Sequence, residues 1–219
     1  MTINQKIIDG RLVEFFGRFT EIKYAKKEYI LRAEDEPQGI YFLKSGFVKQ
    51  VFLTESGKCL TLNIFKPGTY FPLTWALGGV ENHDFFEAMT AVVTYRAPND
   101  QVLAWLKQEP ELLYTLTRRL STGLGGMVHR MESLFYIDAK SRIASVLVML
   151  GKRFGLKQPD GQVEISLTMT HQEIADLAGL TRETASTELK KLNDQGVLGY
   201  GSKKLVIKDW GKLQRRAGG

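Results

Sequence analysis

Arg182, Glu183, Ser186 and Thr187 crowd the opening turns of one short segment, and each carries a group that suits a base-pair edge. A guanidinium forms a bidentate pair with guanine O6 and N7, and a carboxylate accepts from cytosine N4. The hydroxyls of Thr181 and Thr184, beside the amides of a helix's first turn, suit phosphate oxygens. Lys190 and Lys191 follow one to two turns later, within reach of a nucleic-acid backbone. Taken singly, such residues are most often plain solvated surface. The pattern around them changes that reading.

The pattern runs from Thr168 to Ile207. Thr170 and Glu173 form a T-x-x-E capping box that opens a helix carrying Ile174, Ala175, Leu177 and Ala178 inward. Gly179 stands where a left-handed C-cap would end it. Thr181 then caps a second helix with Ala185, Leu189 and Leu192 on its inner face. Two short helices joined by a Gly-containing turn, followed by a β-wing, match a helix-turn-helix whose second helix enters the major groove of double-stranded DNA. The expected DNA contacts are Thr170, His171, Gln172, Thr181, Arg182, Glu183, Thr184, Ser186, Thr187, Lys190 and the wing residue Lys203. A generic helical hairpin is the bland alternative, but capping, turn, helix lengths and wing all agree.

Charge follows the same segment. The chain carries +6, and from Asp138 onward 14 Lys and Arg face 9 Asp and Glu, so +5 of it lies there. That bias is the footprint of a phosphate-binding module. Lys204, Lys212, Arg215 and Arg216 add to it, although a basic tail alone is more often only solubilising. At 219 residues the chain has room for two domains. With no apolar run of transmembrane length and no signal-like N-terminus, it is expected in the cytoplasm, away from membranes. Cys59 is its only cysteine, which excludes an intrachain disulfide and a cysteine metal cluster.

The elements ahead of the helix pair are legible too. Tyr29 to Leu31, Gly39 to Lys44, Phe47 to Leu53, Cys59 to Phe65, Phe85 to Thr90 and Val92 to Arg96 read as short strands punctuated by Gly and Pro turns. Such spacing predicts a barrel or double-sheet jelly roll. Helices are expected over Lys6 to Phe19 and Asn99 to Leu106. From Glu111 to about Tyr136 a long helix follows, with Leu113, Leu116, Leu120, Leu124, Met127, Met131 and Leu134 at steps of three, four, four, three, four and three. This is nearly a heptad seam with one extra residue, so the helix is expected to pair with its copy in a homodimer. Packing against its own β-domain is the other reading. A hinge is expected near Phe135 to Asp138, where a new helix begins. The predicted class is α+β: a jelly-roll domain over 1–110, a dimerisation helix and hinge over 111–137, and a winged helix-turn-helix over 138–219.

IYFLKSGFVK, NIFKPGTYF, YIDAKSRIASVL and THQEIADLAGLTRETASTELKKL, in this order, resemble the Crp–Fnr superfamily of bacterial transcription regulators from Phe19 to Trp210. The resemblance implies a cyclic-nucleotide-binding-like β-roll, a DNA-binding dimer, RNA polymerase as a further partner, and Arg182-Glu183-Thr184 as the start of the recognition helix. A family arginine is replaced by Thr187, which implies a half-site differing from TGTGA at one base pair. A cyclic-nucleotide member would carry Gly-Glu for the ribose and Arg-Ser or Arg-Thr for the phosphate. Here those stretches are Phe71-Pro72-Leu73 and Glu81-Asn82-His83-Asp84. Acidic Glu81 and Asp84 would repel a phosphate. Cyclic AMP is therefore not expected. Nor is an iron–sulfur cluster, for which the family's N-terminal cysteines are missing.

Tyr70, Phe71, Trp75, Phe85, Phe86 and Met127 could instead line an apolar pocket for a small-molecule effector. They could equally fill a core with no ligand. His83 and His129, scattered and without ligand spacing, are read as surface or helix-face residues, and no metal site is expected. A regulator with a non-cyclic-nucleotide effector, or a constitutively active one, is preferred to a cyclic-nucleotide responder with a divergent pocket. An enzyme is not expected, because no nucleophile motif, phosphate loop or acid–base cluster is present. A nucleotide-sensing module without a DNA role would have no need of Thr170 to Ile207.

Overall fold

Side chains that alternate along short β-branched and aromatic runs sort the first half of the chain into two faces. The computed structural model describes residues 3–134, 138–201 and 204–218, the side chains of residues 3–9, 129, 130, 133 and 134 aside. The chain divides into two compact units, Met1–Ser121 and Thr122–Gly219.

The first unit opens with α1 (Ile3–Phe16) and continues through β1 (Thr20–Tyr24), β2 (Tyr29–Leu31), β3 (Ile40–Ser45), β4 (Val48–Leu53) and β5 (Cys59–Phe65). Next come β6 (Tyr70–Phe71), α2 (Leu73–Gly78), β7 (Phe85–Ala88), β8 (Val92–Ala97) and α3 (Asn99–Gln108). The long α4 (Pro110–Leu134) runs out of this unit. Two four-stranded antiparallel sheets form, in the orders β1-β8-β3-β6 and β2-β7-β4-β5. One core lies between them and draws on both: Tyr41, Leu43, Phe71 and Val92 from the first, Ile30, Leu31, Val48, Phe86 and Ala88 from the second. A second core fills the other face of the first sheet, where Ile40, Phe42 and Tyr70 meet Leu12 and Phe16 of α1, Val102 and Leu106 of α3, and Leu112 and Leu116 of α4. The double-sheet architecture read from the strand spacing is thus present. β1, β6 and α2 are additional to the strands and helices expected from the sequence, and α1 lies three residues earlier than its expected span.

The seam residue Leu116 departs from expectation. It is 2% exposed in the single chain and belongs to the second core, so it has no surface to offer a partner. Leu113, Leu120, Leu124, Met127 and Met131 are exposed, as the seam reading requires. The side chain of Leu134 lies outside the described residues, as does the expected hinge apart from Asp138.

The second unit is built on α5 (Ala139–Phe154), whose N-cap Asp138 accepts from the Ser141 amide at 2.6 Å. That amide is the main reason the Asp138 carboxyl sits below its ordinary pKa. The chain continues through β9 (Gly155–Lys157), β10 (Val163–Ile165), α6 (His171–Ala178), α7 (Arg182–Asp194), β11 (Leu198–Gly201), β12 (Lys204–Ile207) and α8 (Trp210–Arg216). The strands make one antiparallel sheet ordered β11-β12-β10-β9. The helix pair and wing were legible in the sequence; β9, β10 and α8 were not.

Candidate nucleic-acid interface

Local chemistry sets the two helices with little freedom. Thr170 accepts from the Glu173 amide at 3.2 Å, while Glu173 accepts from the Thr170 amide at 2.7 Å, which completes the capping box. Gly179 ends α6 in the left-handed region at φ 62°, a conformation that costs a glycine nothing. Thr181 then caps α7 by accepting from the Thr184 amide at 3.3 Å, and the two threonine hydroxyls lie 3.0 Å apart. Ile174, Ala175, Leu177 and Ala178 of α6 are buried, as are Ala185, Leu189 and Leu192 of α7. With its apolar face sunk in the domain, α7 turns Arg182, Glu183, Thr187 and Lys190 to solvent.

The expected contact residues divide into two groups. Arg182, Glu183 and Lys190 are exposed charges on the outer face of α7. Others are already engaged within the protein. The Thr170 hydroxyl lies 2.9 Å from Glu173 Oε2, Gln172 Nε2 donates to Asp176 Oδ1 at 2.7 Å, and the Thr187 hydroxyl donates to the Glu183 carbonyl at 3.0 Å. Thr187 thus satisfies its own helix, leaving lone pairs rather than a proton for an outside group. Lys203 lies outside the described residues. Its neighbour Lys204 turns to Glu164 of β10, at 2.8 Å, so part of the wing's charge is spent inside the domain.

His171 and Ser186 are brought together. His171 Nδ1 lies 2.9 Å from Ser186 Oγ, and Nε2 lies 3.2 Å from the hydroxyl of Tyr200. Tyr200, on the first wing strand, is not among the contact residues expected from the sequence. Strand alternation alone would group it with buried Leu198, and only the fold turns it out to the helix pair. Partial desolvation pushes its phenol above the ordinary pKa, although the side chain as a whole stays largely exposed.

The expected effector pocket does not form as drawn. Tyr70 and Phe71 are neighbours on one strand, so their side chains leave opposite faces of the sheet. Tyr70 packs with Phe16 at 6.2 Å in one core, whereas Phe71 stacks on Phe86 at 5.0 Å and 7° in the other. Phe85 lies against Tyr29 at 5.3 Å. Tyr70, Phe71 and Phe86 are core fill, whereas Phe85 lies half-buried on the opposite face of β7. Met127 is exposed on α4, in the second unit. Trp75 alone lines an open depression, of about 420 Å³, and its companions there are Glu34, Asp35, Glu36, Glu81, Asn82 and His83. Asp84 beside it accepts from Gln50 Nε2 at 2.6 Å. Among the described residues no group of His, Cys, Asp and Glu converges to hold a metal ion, and no helix is long and apolar enough to cross a membrane.

Comparison with known proteins matches residues 141–216 to the Crp-like helix-turn-helix domain and residues 21–109 to the cyclic nucleotide-binding domain. The global nitrogen regulator of Nostoc sp. strain PCC 7120 is 30% identical over 84% of this chain and 83% of its own length. The cAMP-activated global transcriptional regulator CRP of Salmonella typhimurium is 24% identical over 94% of this chain and 98% of its own. Among solved structures, a CRP/FNR-family transcriptional regulator from Thermus thermophilus superposes with a TM-score of 0.71 at 28% identity, covering 91% of this chain and 99% of that one.

Proposed function

The chain belongs to the Crp–Fnr superfamily of transcription regulators, and on that premise we propose that two copies bind a two-fold operator by inserting one α7 each into successive major grooves. The observation that carries this reading is the division of α7 into a wholly buried apolar face and an outer face bearing Arg182, Glu183 and Lys190. Arg182 and Glu183 read base edges; Thr181, Thr184, Lys190 and Lys203 meet phosphates. The exposed apolar stripe Leu113, Leu120, Leu124, Met127 and Met131 on α4 supports the homodimer, because a stripe of that size on a lone helix calls for a partner of like kind. RNA polymerase is the partner through which a bound dimer would act.

The effector, if the protein takes one, is not a cyclic nucleotide bound in the usual way. Support comes from the acidic lining at Glu34, Asp35, Glu36 and Glu81, beside Asn82 and His83 where a cationic phosphate ligand would be needed. A cyclic-nucleotide responder with a divergent pocket is the second reading, favoured by the domain match over residues 21–109. Gel-shift selection from a randomised two-fold DNA library tests the main proposal. The expected result is a palindrome with half-sites about one helical turn apart, and binding without sequence preference would overturn it. Thermal shift with cyclic AMP and a panel of small acids and aromatics separates the two effector readings.

A further inference from the structure

Ser186, His171 and Tyr200 form an unbroken hydrogen-bond chain joining α7, α6 and the wing strand β11, across 15 and 29 residues of sequence. A neutral imidazole has one N–H and one bare nitrogen, so it donates at one end of such a chain and accepts at the other. Serine and tyrosine hydroxyls can each play either part. The chain therefore has two directions, and each leaves Ser186 a different face for the groove. If Nδ1 carries the proton, it donates to Ser186 Oγ and the serine keeps its own proton to give outward. If Nε2 carries it, Ser186 gives its proton to Nδ1 and presents only lone pairs.

Tyr200 decides between them. A phenol is a better donor than an alkyl hydroxyl and a poorer acceptor. It donates to Nε2, which leaves the imidazole proton on Nδ1. We propose that Tyr200 and His171 are positioning residues which hold the Ser186 hydroxyl as an outward donor, so that the wing sets what the reading helix asks of one base pair. The base opposite Ser186 then offers a major-groove acceptor, such as guanine O6 or N7 or thymine O4. The inference rests on α7 being the DNA-reading helix. Ser186 stands one turn beyond Arg182 on the same helix, and Tyr200 is 54% exposed at the wing, so neither residue is needed to fill the core.

The test is operator selection with wild type, Arg182→Ala, Tyr200→Phe, His171→Asn, the double variant Tyr200→Phe with His171→Asn, and Ser186→Ala, whose lost preference identifies the base pair that Ser186 reads. Asparagine retains a group near the Nδ1 position but cannot reach Tyr200, so it keeps the serine contact and cuts the chain. Tyr200→Phe should lower the preference at the base pair assigned to Ser186 by roughly five-fold, the worth of one hydrogen bond. Melting temperature and affinity for non-operator DNA should not change. In the His171→Asn background, Tyr200→Phe should have no further effect, because the link is already cut. An unchanged base preference in Tyr200→Phe, or a loss spread evenly over all positions, overturns the proposal while leaving α7 as the reading helix. Failure of wild type and Arg182→Ala to differ on any operator overturns the assignment of α7 and this inference with it.

Discussion

Leu116 and Leu120 stand one turn apart on α4, only about 40° apart around its axis, yet Leu116 is 2% exposed and Leu120 44%. The β-roll's helix-side core ends between them. Once Leu116 is given to that core, the irregular step in the seam disappears. Thr117 takes its place, and Leu113, Thr117, Leu120, Leu124, Met127 and Met131 then alternate at steps of four and three. Thr117 is exposed and its hydroxyl donates to the Leu113 carbonyl at 2.9 Å, so its methyl is left to face outward. A strict heptad is the pattern of a left-handed helix pair.

Two substitutions separate those roles. Leu120→Glu with Leu124→Glu should give folded monomers by light scattering. Leu116→Ala should leave the dimer intact but lower unfolding free energy by about 2–5 kcal/mol, the cost of a cavity at a fully buried leucine. A dimer that survives the glutamates would mean that the stripe is not the interface.

Arg182→Ala should cost roughly 1–3 kcal/mol of operator binding and relax preference at one guanine in each half-site. Lys203→Ala should weaken all sequences alike and reduce the salt slope by about one. Salt titrations of both variants on operator and random DNA distinguish base reading from phosphate contact. The assignment of Arg182 fails if the selected sequence is unchanged.

Asp138→Ala should destabilise the DNA-binding unit by about 0.5–2 kcal/mol through loss of the α5 cap. The pH dependence has a definite sign. The carboxyl is held below its ordinary pKa in the folded state by the Ser141 amide, so its contribution is complete above the unfolded value of about 3.9. It is lost as pH falls through the lower folded value. Chemical denaturation at pH 7 and pH 3 should show the gap between wild type and variant narrowing at the lower pH.

Gly123, Gly125 and Gly126 lie inside α4, and among the described residues a Cβ at any of them meets no atom beyond the helix's own backbone within 4 Å. No contact among the described residues requires them, although each weakens the helix by about 0.8–1 kcal/mol relative to alanine. Gly125→Ala with Gly126→Ala should therefore stiffen α4 by up to about 2 kcal/mol per chain. If a soft helix restrains the DNA-competent state, ligand-free operator affinity rises. Unchanged or weaker binding by an intact dimer would assign the glycines to close approach of the two α4 helices.

The helix-turn-helix was legible because its signals are local: caps at Thr170 and Thr181, Gly179 between them, and apolar residues at helical spacing. The two-residue strand β6 was not, since neither period nor turn can be recognised in so short a run. Tyr70, Phe71, Phe85 and Phe86 looked like one lining because aromatic residues close in sequence suggest a shared pocket. Strand alternation and two separate cores divide them instead. His171 and Ser186 were identified as contact residues, but their link through Tyr200 needs three elements assembled in space.

β6 has a mechanical consequence. Its two residues pair with Tyr41 and Phe42 of β3, and consecutive rings drive into cores on either side of one sheet. The two residues move together, so a shift of the strand across the sheet that withdraws Phe71 from one core drives Tyr70 deeper into the other. The helix-side packing and the inter-sheet packing are therefore geared together. A ligand or substitution that loosens one should shorten the hydrogen-exchange lifetimes of backbone amides facing the other, and the whole roll should open as a single block rather than layer by layer.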